Sequence, residues 1–263
     1  ATTVDDAINY IKGKGTPNFA NTATTNEGMY AAEDDLGTSY YFRGAVNNNW
    51  VKFGKDSSNN DMYWRIIRIN GDGSIRMIYS GTTAPTSSTA IVMTGADTQI
   101  GINGYNNDAN NPSHVGYMYT LGTQHGSSTS STIKTAIDNW YKKTTLETDA
   151  TTKELVSQDQ IFCNDRSATT SDSGTPGEIS GSMSTSTTYY YGAYARLVKN
   201  KKPKLTCTTA SDKFTVNTSN GNGALTYPVG LITADEVAMA GGKFGTGNST
   251  YYLYTNQYYW SGS

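Results

Sequence analysis

The sequence predicts an α+β domain: a twisted antiparallel β-sheet with a few short flanking helices and long loops rich in Gly, Ser, Thr and Asn. Three observations carry this expectation. Two apolar runs flank Asn70-Gly71-Asp72-Gly73, a hairpin signal, because Asn-Gly and Asp-Gly tolerate the backbone that tight turns require. Helical spacing of apolar residues is confined to short stretches. The composition is low in charge, at 16%, and rich in turn formers, with 27 Gly, while its 20 Tyr against 6 Phe suit half-exposed sheet surfaces.

Taken in order, Val4, Ala7, Ile8 and Ile11 recur at helical spacing, with Asp5 and Asp6 early and Lys12 late, as the helix dipole favours. A short amphipathic helix ending at Gly13 follows. Residues 15–35 show no periodicity and read as extended loop. Residues 39–46, Asn47-Asn48-Asn49 and residues 50–54 read as strand, turn, strand, the economical reading being a hairpin. Residues 62–69 and 74–79 form the second hairpin. Arg65 and Arg68 lie on opposite faces of a regular strand, so either one is paired in the interior or the strand bulges.

Residues 81–130 read as long loops. Ser130 and Ser131 offer caps for a helix through Tyr141, whose stripe is Ile133, Ile137, Trp140 and Tyr141. A weaker helix covers about 153–158. Residues 189–198, rich in Tyr, read as a strand or extended segment. Thr233 and Glu236 form a capping box for a helix through Ala240, stopped by Gly241-Gly242, and residues 249–260 look extended.

At 263 residues the chain is long for one domain and short for two. The expected division is an N-terminal helix and extended segment over 1–25 and a single large domain over 26–263. A net charge of -2 provides no field to attract nucleic acid or an anionic membrane, and no apolar run is long enough to span a bilayer. The start at Ala1 is what a processed extracellular protein would show. Cys163 and Cys207 have no metal-ligand spacing. In an extracellular chain they favour a disulfide stabilising by about 3 to 4 kcal/mol, two buried thiols being the alternative.

Catalytic patterns are missing. His114 and His125, the only histidines, sit in loop segments without nearby ligand partners and read as chance surface residues. Asp34-Asp35, 70–72 and 106–108 are acidic or amide-rich turns of a kind that binds calcium, but none has the oxygen spacing and terminal Glu of an EF-hand. No nucleophile elbow occurs, and Gly101 to Gly104 and Gly241 to Gly245 lack the full phosphate-loop pattern. Asp138, Asp235 and Glu236 are accounted for by helix position. No cofactor is called for, and the expectation is a non-enzymatic protein.

Several stretches carry a resemblance: Gly37 to Val46, Tyr63 to Tyr79, Phe162 to Ser167, Tyr227 to Val237 and Tyr252 to Trp260. They resemble uncharacterised surface-protein domains of Gram-positive gut bacteria, over roughly residues 26–260. The closing part is similar to the C-type-lectin-like fold shared with formylglycine-generating enzymes. The resemblance implies the disulfide between Cys163 and Cys207, structural roles for Trp64 and Trp260, and further strands after the Tyr258-Tyr259-Trp260 stretch that this sequence does not include.

The expected function is accordingly that of a secreted or surface-displayed binding module. Tyr252, Tyr254, Asn256, Gln257, Tyr258 and Tyr259 would form the ligand face, rings stacking on a glycan or a host or bacterial surface protein while the amides exchange hydrogen bonds. The alternative is a structural subunit of an extracellular filament or surface layer, with other copies of itself as partners, joined by strand contacts.

Overall fold

The computed structural model describes residues 2–106, 116–179 and 186–263. It is a mixture of antiparallel sheets and a few short helices. The main sheet has five strands: β1 (Asn26–Asp34), β2 (Gly37–Gly44), β3 (Trp50–Lys55), β4 (Asp61–Ile69) and β5 (Ile75–Tyr79).

β4 is the spine of this sheet. β2 pairs with it through Tyr40–Ile69 and Tyr41–Arg68, and β3 through Trp50–Arg65 to Lys55–Asp61. Because β5 pairs with the same stretch of β4 from the other side, β2 and β3 share one edge of β4, end to end. The predicted β2–β3 hairpin therefore does not form; both strands pair with β4 instead. β1 pairs with β2 and occupies residues read from sequence as loop, since its alternation is broken by a bulge at Gly28, whose φ is +68°.

The β4–β5 hairpin forms as expected. Of its two turn glycines only Gly73 has positive φ. Gly71 is required by space: a Cβ there would lie 2.4 Å from the Gly37 nitrogen. Both alternatives foreseen for Arg65 and Arg68 occur together. A bulge at Ile67 interrupts the β4–β5 register, and both arginines are buried and paired, Arg65 on Asn49 and Arg68 on Asp34 and Glu236.

Apolar layers cover both faces of the sheet. One holds Ile67, Tyr252 and Leu253 with Ala240 of helix α5 (Ala234–Ala240). The other holds Met62 and Trp64 with Tyr141 of α2 (Thr132–Tyr141) and Leu146 of α3 (Thr145–Thr148). A third cluster joins Ile133 and Ile137 of α2 to Tyr117, Phe214 and Leu225. The Ser131 cap on α2 and the Thr233–Glu236 capping box on α5 form as the sequence predicts. Helix α1 (Val4–Gly13) also forms, but buries no residue.

The helix expected near 153–158 forms earlier, as α4 (Ala150–Glu154), where Asp149 supplies the N-cap. Tyr190–Tyr191 pair briefly with Ala168–Thr169, after which the chain turns into a π-helix, Tyr194–Lys199, rather than a strand. That wide turn carries Arg196 onto Asp235, 2.7 Å away. Residues 249–260 form bends and turns, not a strand. Cys163 and Cys207 are disulfide-bonded, with Cα atoms 5.5 Å apart. Among the described residues no helix is long and apolar enough to cross a membrane.

Candidate binding cleft beside the edge strand β5

A cleft of about 600 Å³ runs along β5, within the size range of ligand-binding pockets. Its walls come from every layer. Trp64 and Trp140 border it from the α2 side of the sheet, Tyr252 and Leu253 from the α5 side, Ile133 and Ile137 from α2, and Val229 and Leu231 from the segment before α5. Trp64, Tyr79 and Trp140 form an edge-to-face aromatic triad, with centroids 5.0 to 6.2 Å apart.

The charged side chains on the described lining are Arg65 and Arg76, and both turn inward. Arg65 donates to Asn49 Oδ1 at 2.7 Å and to the Val46 and Ile91 carbonyls, while its guanidinium lies 4.2 Å from the Trp50 ring. Burial pushes its pKa down to about 10. Arg76 reaches Glu236 at 3.6 Å and donates to the Ile161 carbonyl. Burial alone would raise the Glu236 carboxyl, but the Arg76 and Arg68 guanidiniums hold it below the ordinary range. Glu236 and Asp235 thus anchor three buried arginines, a role that helix position alone did not reveal.

The sequence-predicted ligand residues divide into three groups. Gln257, Tyr258 and Tyr259 line the cleft, and Tyr258 is almost wholly exposed. Tyr252 reaches the cleft floor, but its ring belongs to the core and only 2% of the residue is exposed. Tyr254 and Asn256 are not on the lining; the Tyr254 hydroxyl donates to Asn256 Oδ1 at 3.3 Å. Trp260 is half exposed, not core: it lines the cleft, donates from Nε1 to the Asn103 carbonyl at 2.8 Å and stacks edge-on against Tyr105.

Sequence reasoning missed Trp64, Tyr79, Trp140 and β5 itself as parts of this site. A signal was present. Met77 and Tyr79 pack on one face of β5 and Ile78 on the other, beside Arg76, so β5 carries apolar side chains to both layers, as an interior strand does.

Elsewhere, the His125 side chain is 6% exposed and turned into the protein rather than to the surface. Its Nδ1 lies 3.0 Å from Asp212 Oδ1, and Asp212 also accepts from Arg166 Nε at 2.7 Å. Asp34 is engaged by Arg68 and by the Gly71 amide, and Asp35 by Lys213. His114 and residues 107–108 of the third calcium-type turn lie outside the described residues. Among the described residues no group of three or more His, Cys, Asp or Glu side chains is placed to hold a metal ion. No family model, curated protein or solved structure matches the chain.

Proposed function

We propose that this domain is a non-enzymatic binding module, displayed on or secreted from a bacterial cell, and that the cleft beside β5 is its ligand site. The observation that carries the reading is the cleft itself: about 600 Å³, walled by Trp64, Tyr79, Trp140, Tyr259 and Trp260, with its two bordering arginines turned inward, Arg65 hydrogen-bonded to Asn49 and Arg76 ion-paired with Glu236. Such a surface binds by stacking and apolar contact rather than by proton transfer. The disulfide is compatible with an oxidising, extracellular setting. A lectin-like arrangement of the sheet and long loops belongs to this proposal, with a glycan or a surface protein as ligand.

The test is retention of the domain on an array of host and bacterial glycans and peptides. Bound ligand should be released at least about tenfold more readily by Tyr259→Ala and by Trp260→Ala, since interface aromatics contribute over 1 kcal/mol each. No retention, or retention indifferent to both substitutions, would contradict it. The second reading, a structural subunit of a filament or surface layer, is favoured by one observation: among the described residues β5 pairs with β4 alone, leaving its other edge open.

A further inference from the structure

We infer that the occupant of the cleft is an extended segment of another polypeptide chain, uncharged and apolar at successive positions, which adds to the open edge of β5 as a sixth strand. The inference rests on the cleft being the binding site and names what fills it.

Two demands on the occupant coincide. The first comes from the backbone. The cleft is bordered by the unbroken run from Gly73 to Ser80, so it follows the strand edge and not merely one face. Edge amides and carbonyls turned away from β4 need partners once covered, and an apolar ligand or a helix side supplies none. A strand supplies them at every second residue.

The second demand comes from the side chains. The cleft reaches the layer of Trp64 and Met77 on one face of the sheet and that of Ile78 and Leu253 on the other. Alternate side chains of an added strand would enter these two layers in turn, so both sets must be apolar. This is the near-continuous apolar run of a strand buried on both sides. Charge agrees: the Arg65 guanidinium is hydrogen-bonded to Asn49 and Arg76 is ion-paired with Glu236, both turned away from the cleft, so a charged residue in the occupant would find no charged side chain facing it.

β5 itself is built for an interior position. It has no Lys and no Pro, its one charge is drawn onto Glu236, and Ile75 is 52% exposed at the open edge. An edge strand meant to stay bare is normally guarded.

The test uses a valine- and isoleucine-rich peptide as long as β5, with one lysine at each end for solubility, titrated into the oxidised protein. Fluorescence of Trp64, Trp140 and Trp260 reports binding. Two copies, N-methylated at alternate residues in the two possible phases, keep the side chains but lose one set of amide donors each, and one of the two should bind at least about tenfold more weakly. Ile75→Asp, an exposed-site change, should weaken the unmodified peptide comparably.

The solvatochromic dye anilinonaphthalene sulfonate is the control for access to the cleft. Equal binding of the peptide and both N-methylated copies would overturn strand addition while leaving the cleft as a binding site. Dye binding without peptide binding would do the same. If neither peptide nor dye enters, both the inference and the proposed site fail.

Discussion

At the scale of single residues, buried charge determines which substitutions the fold cannot absorb. Asp212 is fully buried and compensates Arg166, whose side chain is 1% exposed. Asp212→Ala leaves that guanidinium uncompensated and should cost about 3 to 5 kcal/mol in urea unfolding; a loss below about 1 kcal/mol would show the pair to be dispensable. Tyr252 makes a second, sharper case. Its hydroxyl is buried without a hydrogen-bond partner among the described residues, so Tyr252→Phe should leave stability unchanged or raise it, whereas Tyr252→Ala should cost about 3 to 5 kcal/mol. A Phe variant as damaged as the Ala variant would mean that the hydroxyl is satisfied in solution. Neither role was legible in the sequence. Tyr251 to Leu253 and Tyr258 to Trp260 belong to one aromatic-rich stretch, and because it folds into turns, no periodicity separates its buried end from its exposed one.

At the scale of elements, what was legible is what local chemistry dictates. The Ser131 and Thr233 caps, the stripe of α2 and the β4–β5 turn all depend on neighbours within a few residues. Ser131→Ala should accordingly cost about 1 kcal/mol in urea unfolding, by removing the acceptor of the Lys134 amide; a loss under a few tenths would deny the cap its role. Pairing across the sheet was not legible. The triple-Asn segment before Trp50 looks like a hairpin turn, yet long-range pairing lines β2 and β3 end to end along one edge of β4, their common partner. Local glycine and asparagine content cannot report which distant strand wins. The π-helical turn at Tyr194–Lys199 was hidden for a similar reason: Arg196 is fixed by Asp165 and Asp235, far along the chain.

At the scale of the molecule, buried carboxylates tie stability to pH. Burial opposes ionisation of Glu236 and Asp212, but arginine pairing, together with the His125 contact at Asp212, outweighs it and lowers both pKa values from their ordinary 4.5 and 3.8. A depressed carboxylate contributes stability above its unfolded-state pKa and loses it as pH falls through the folded value. Thermal scans should therefore give a Tm nearly flat from neutrality to about pH 5 and falling below about pH 4; a Tm that rises on acidification would contradict the assignment. At the same scale, β5 borders a cleft that is open among the described residues. Native-state amide hydrogen exchange of the free, oxidised protein tests it most directly. About half of the β5 amides, those turned away from β4, should exchange far faster than the amides of β4. Uniform protection of β5, equal to that of β4, would mean that its edge is already covered and that the cleft is not open for a ligand.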